Sequence, residues 1–172
     1  MKSRHDSKPE PRNHAEKTLC DAVSAAKANA AFLAEIAEIY RAVDSEIQAL
    51  SPTCFGGGTC CKFDLAGHRL YLSTGELALL SLQPPPIMEQ APRLRCPYQT
   101  GPRCNARQNR PLGCRVYFCT PELASAIPPI YEKYHQHIRQ LHAIYAIEYR
   151  YVELTNGLCQ LFSNSRTDND SV

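Results

Sequence analysis

The chain has no tryptophan and only five phenylalanines among its 172 residues. A large aromatic core is therefore excluded, and the interior is expected to be modest and mostly aliphatic, with tyrosine at its rim. The charged start, Met1 to His14, contains no apolar run that could serve as a signal-peptide core. No stretch approaches the roughly 20 apolar residues that span a bilayer. The expected compartment is the cytoplasm, with residues 1–14 a disordered tail. A net charge of only +2 supplies no global field toward nucleic acid or an anionic membrane. Glycine-rich phosphate loops, nucleophile elbows and dinucleotide fingerprints are also missing, and no catalytic residue can be read from the sequence.

Proline and glycine are absent from residues 15–50, where Leu19, Val23, Ala26, Ala30, Leu33, Ala37 and Tyr40 recur at steps of three and four. That periodicity predicts one long amphipathic helix over 15–50. Its stripe is widened by Phe32, Ile36, Ile39, Val43, Ile47 and Leu50, which leaves open pairing with a second copy or another protein. Ser51-Pro52 stops it. Further on, residues 69–72 read as a short strand. Ser73 and Glu76 then have capping-box spacing before a short helix from Thr74 to Leu82, which Pro84-Pro85-Pro86 ends. Pro128-Pro129 suits a helix start, and Ile130, Tyr134, Ile138, Leu141, Tyr145 and Val152 continue a helical pattern over 129–155, with Asn156-Gly157 as its stop. Residues 163–172 read as a second disordered tail. The expected fold is mainly α: one domain over 15–162, with two long helices packed antiparallel and an irregular cysteine-rich, metal-binding insertion between them.

Cysteine is abundant, with nine in the chain. Seven fall within 66 residues: Cys54, Cys60 and Cys61, then Cys96, Cys104, Cys114 and Cys119. In a reducing compartment such clustering points to metal binding rather than disulfides. Four thiolates suit tetrahedral zinc or an iron–sulfur cluster. Both need ligands on turns that can converge, which Gly56-Gly57-Gly58, Gly101-Pro102 and Pro111-Leu112-Gly113 supply. A loop-rich stretch gains little order from burial alone, whereas metal binding contributes on the order of 10 kcal/mol to folding. The alternative is a set of buried free thiols. Cys20 and Cys159, outside the cluster, are expected to be packing residues.

The first group resembles the C-x-x-C-x-x-C-C signature of the YkgJ-type cysteine-cluster proteins, a family described as zinc- or iron-chelating. The later run resembles the same family's second pattern: Cys96-Pro97, then Cys104, then Arg110-Pro111-Leu112-Gly113-Cys114-Arg115. The resemblance covers about residues 54–119 and implies chelation without deciding zinc against iron. It departs at Gly57, which stands where the family has its second cysteine.

Acidic residues are absent from Arg93 to Arg115, a stretch holding six arginines: Arg93, Arg95, Arg103, Arg107, Arg110 and Arg115. They would offset the roughly two negative charges of a tetrathiolate site. A basic patch for nucleic acid and a plain solvated loop are the rival readings. His68 could replace the ligand missing at Gly57. His135, His137 and His142 read as residues of solvated helix faces. The function expected is metal chelation by clustered thiolates. An iron–sulfur electron-transfer protein and a zinc-stabilised interaction or nucleic-acid adaptor are the alternatives.

Overall fold

In the computed structural model, residues 18–53, 57–83, 95–118 and 123–163 are described. Residues 1–14 and 164–172 of the predicted tails, Cys54, Pro84-Pro85-Pro86, Arg93 and Cys119 lie outside them, whereas Ser163, expected in the second tail, ends a helix. The described residues are mainly helical, with four short strands.

The single helix expected over 15–50 is two. Thr18 opens α1 (Leu19–Ala28) with a capping box closed by Asp21. The chain then breaks at Asn29, whose side-chain oxygen accepts from the Phe32 amide at 3.0 Å and so starts α2 (Ala30–Ala49). An asparagine side chain competes for backbone amides, which is why it ends one helix and caps the next without a proline or glycine nearby. The stripe of α2 is consumed within the chain: Phe32, Leu33, Ile36, Tyr40, Val43 and Ile47 are all buried.

Pro128-Pro129 stands in the first turn of α6 (Ile127–Ile144), where prolines lose nothing because those amides have no intrahelical partner. Lys133 and Tyr134, near its start, both donate to Glu46 near the end of α2, at 2.7 Å each. At the other end, Phe32 meets the rings of His142 and Tyr145, with centroids 5.0 and 5.6 Å apart. The two longest helices of the described residues therefore lie antiparallel.

The second helical pattern does not run to residue 155. It stops at Ile144, Ala146 takes a positive φ of 52°, and the chain turns into β4 (Tyr151–Glu153). The Ile147 amide closes this turn on the His142 carbonyl at 3.0 Å. Alternating Tyr149, Tyr151 and Glu153 then suit a strand better than a helix. β4 pairs antiparallel with β1 (Tyr71–Ser73), Leu72 opposite Val152.

Each of these strands runs straight into a helix. β1 leads to α4 (Thr74–Leu80) through the Ser73/Glu76 capping box that the sequence spacing predicts. β4 leads to α7 (Leu154–Ser163), whose opening amide at Asn156 donates to the Glu153 carboxylate at 2.9 Å. Asn156-Gly157 therefore lies inside a helix rather than ending one. Gly157 is there for closeness, because a Cβ on it would stand 3.0 Å from Val152 and 3.1 Å from Leu77. The core joins all these pieces through Phe32, Ile36, Leu72, Leu77, Ile138 and Leu158, each almost fully buried.

Candidate metal centre

The described cysteines of the cluster sit on four separate pieces of chain. Cys60 and Cys61 lie in a 3-10 turn, Thr59–Cys61, followed by the one-turn α3 (Phe63–Ala66). Cys96 follows a bridge between Arg95 and Lys62. Cys104 is on β3 (Arg103–Cys104), which pairs with β2 (Gln99–Thr100), and Cys114 is on α5 (Leu112–Val116).

Backbone bonds draw these pieces together. The Cys96 amide donates to the Cys61 carbonyl at 2.8 Å, and the Gln99 side-chain amide donates to the Gly58 carbonyl at 2.7 Å. Gly58 has a positive φ of 68°, and a Cβ there would meet Gln99 Nε2 at 2.4 Å and the Pro102 carbonyl at 2.9 Å. Only glycine satisfies both the left-handed backbone and the close approach. Gly57 differs: a Cβ on it would find only Thr59 Oγ1, at 3.8 Å. Space therefore does not dictate the glycine at the position where a cysteine was expected by resemblance.

α5 is anchored from behind by two buried charged groups. The Glu76 carboxylate, 2% exposed, accepts from the Ser73 amide at 2.8 Å, the Leu112 amide at 2.8 Å and the Tyr40 hydroxyl at 3.4 Å. Burial first, then the Glu76 charge, push the Tyr40 hydroxyl well above its ordinary range. Arg115 is 3% exposed; it pairs with Asp44, donates to the carbonyls of Gln108 and, at 2.9 Å, Arg110, and lies 4.0 Å over the Tyr40 ring. Its expected role beside the thiolates is corrected here: it fastens the loop before Cys114 to α2. Arg95 bonds Gln99 at 2.9 Å, while Arg103, Arg107 and Arg110 line the sulfur cavity.

That cavity measures about 520 Å³, and Cys60, Cys61, Cys96, Cys104 and Cys114 all line it together with His68. Bonding to Cys61 first, then burial, raises the Cys60 thiol far above its ordinary range. For Cys61 the bond from Cys60 lowers the pKa, but the bond to Cys96, burial and the neighbouring sulfurs outweigh it and push the group up to about 12. Burial, then Cys61 and Cys104, raise Cys114 as well. Burial and neighbouring sulfurs thus disfavour the thiolate form at Cys60, Cys61 and Cys114 in the absence of a cation. Among the described residues, no three His, Cys, Asp or Glu side chains already form a group that would hold a metal ion.

His68 stacks on Tyr117 at 4.4 Å and meets Phe63 edge-on at 5.5 Å. Its Nδ1 is buried without a hydrogen-bond partner. His142, expected on a solvated face, is instead 2% exposed: its Nε2 accepts from the Gly75 amide at 3.3 Å and its Nδ1 is 3.1 Å from the Ile147 carbonyl. Helical periodicity could not reveal this, because the partner lies 67 residues away in sequence. His135 is 2.8 Å from the Tyr149 hydroxyl, and His137 packs edge-on against Tyr134. Cys20 and Cys159 are half-buried rather than fully packed, and the Cys20 thiol donates to the Gln160 carbonyl at 3.6 Å. No helix of the described residues is long and apolar enough to cross a membrane. No protein-family model, curated protein or solved structure matches the chain.

Proposed function

We propose that this chain is a metal-binding protein that chelates zinc or iron, the iron singly or as an iron–sulfur cluster, in the manner of the YkgJ-type proteins it resembles. The ligands are drawn from Cys60, Cys61, Cys96, Cys104 and Cys114, with Cys54 and Cys119, outside the described residues, as further members. One observation carries the reading. Five cysteines from turns, a strand and a helix line one cavity whose described lining contains no Asp or Glu. Sulfur without carboxylate oxygen is the donor set of zinc, iron–sulfur and copper(I) sites, not of calcium or magnesium.

The mutual influence of Cys60, Cys61 and Cys96, each of which shifts a neighbour's thiol, supports the same reading. A metal bound by these cysteines would take them as thiolates, so its binding would release protons. The irregular stretch between α2 and α6 is then a metal-organised cap on the helices. Of the arginines that the rival adaptor reading would use, Arg115 is buried in the loop anchor and Arg95 bonds Gln99.

The test is metal per chain in serine variants of the full-length protein purified without oxygen. Cys96→Ser and Cys114→Ser are expected to lose most of the bound metal, while Cys20→Ser and Cys159→Ser keep it. Equal metal content in all four variants would remove the cavity as the site.

A further inference from the structure

The sulfur cavity has more room and more cationic groups than an ion needs. Its volume of about 520 Å³ falls among pockets of roughly 300–1,000 Å³ that enclose small organic ligands. An ion with sulfur ligands about 2.3 Å away fills one corner of such a space. The rest of the lining divides by chemistry. Phe63, Leu70, Phe118 and Leu154 form an apolar wall, and Arg103, Arg107 and Arg110 bring three guanidinium groups.

Those cations are little engaged by carboxylates of the described residues. Neither Arg103 nor Arg107 takes part in any ion pair of the described residues. Arg110 approaches Asp44 only at 3.8 Å through Nη2, and its buried Nε has no hydrogen-bond partner. The only other buried side-chain nitrogen or oxygen so placed among the described residues is His68 Nδ1, in the same lining. Unpaired buried polar atoms are rare because they are costly, and both belong to residues of this lining. A tetrathiolate site carries about two negative charges, so it leaves part of this charge and all of the apolar wall unused.

The geometry points to a second ligand in this cavity: a small organic acid. Its carboxylate or phosphate sits on Arg103, Arg107 and Arg110, whose planar forks match oxyanions. Its short apolar body lies against Phe63, Leu70 and Phe118. The inference rests on the metal reading only in assigning the sulfur wall to an ion.

Calorimetric titration of the full-length zinc-loaded chain with octanoate, acetate and inorganic phosphate tests it, with zinc measured in every sample. Octanoate is expected to saturate at one per chain and to bind at least tenfold more tightly than acetate or phosphate. Arg103 and Arg107 are exposed, so the double variant Arg103→Gln/Arg107→Gln folds as the parent does. It is expected to weaken octanoate at least tenfold, and Arg110→Gln to do the same. Failure of octanoate to saturate, equal binding of all three probes, or unchanged binding in both variants overturns the inference. Octanoate binding as expected in samples that take up no zinc upholds it and removes the zinc form of the metal reading instead.

Discussion

Glu76→Gln only replaces one carboxylate oxygen with an NH₂ group, yet it should be among the most damaging single substitutions in the chain. Each oxygen of this buried carboxylate accepts a backbone amide at 2.8 Å, Oε2 from Ser73 and Oε1 from Leu112. A glutamine has one oxygen and one NH₂, so in either orientation an N–H must face an N–H. One backbone amide and one side-chain donor are then buried without partners, at about 1–3 kcal/mol for each unsatisfied group. A loss of about 3 kcal/mol follows, which for a chain of this size lowers the melting temperature by roughly 6–12 °C. The damage reaches the cysteine cavity because the Leu112 amide is the first of α5, the helix that carries Cys114. Glu38→Gln is the control. Glu38 pairs with Arg41 on an open face, where an ion pair contributes under about 1 kcal/mol. The assay is urea unfolding of both variants beside the parent. If Glu76→Gln unfolds within about 0.5 kcal/mol of the parent, the carboxylate does not hold β1, α4 and α5 together as described.

Gly58→Ala should cost about 1–2 kcal/mol from its left-handed backbone alone. It should also displace Gln99, which ties the two cysteine groups, so that urea stability and metal retention fall together. Arg115→Lys keeps the charge but reaches fewer partners and leaves loop carbonyls unpaired, so a loss of about 3 kcal/mol is expected in the same assay. An unchanged midpoint would show that the guanidinium fork is dispensable. His142 makes stability depend on pH, because burial lowers its pKa in the folded chain. Its contribution is complete above the unfolded value of about 6.5 and is lost as pH falls toward the folded value, at up to about 1.4 kcal/mol per pH unit. The fall in stability between pH 7.5 and pH 5.5 should therefore be smaller in His142→Gln than in the parent, and equal falls would contradict this.

Much of the helical framework was legible because it is written locally. The Ser73/Glu76 spacing, the proline pair before α6 and the stripe of α2 depend on residues within a few positions of one another. The breaks were harder. At Asn29 the signal was present, since asparagine is a capping residue, but apolar periodicity on both sides masked it. At Ala146 there was no signal, because a positive φ on alanine is imposed by the turn that places His142 and β4. Tyr149-Arg150-Tyr151 did carry strand alternation, which the longer helical pattern overrode. In the candidate site, five of the cysteines that cluster in sequence also line one cavity. The anchors Glu76 and Arg115 were out of reach in that role, since their partners Leu112 and Asp44 lie 36 and 71 residues away.

The central claim is that sulfurs from separate stretches of chain hold one metal centre, and the most direct measurement is metal content before and after chelation. The protein is purified under argon, its zinc and iron are counted, and its thermal unfolding is followed with and without a strong chelator. At least one zinc or iron ion per chain is predicted, together with a large drop in melting temperature on its removal, since structural metal contributes on the order of 10 kcal/mol. A chain that carries no transition metal, takes none up, and melts at the same temperature with chelator as without contradicts the account.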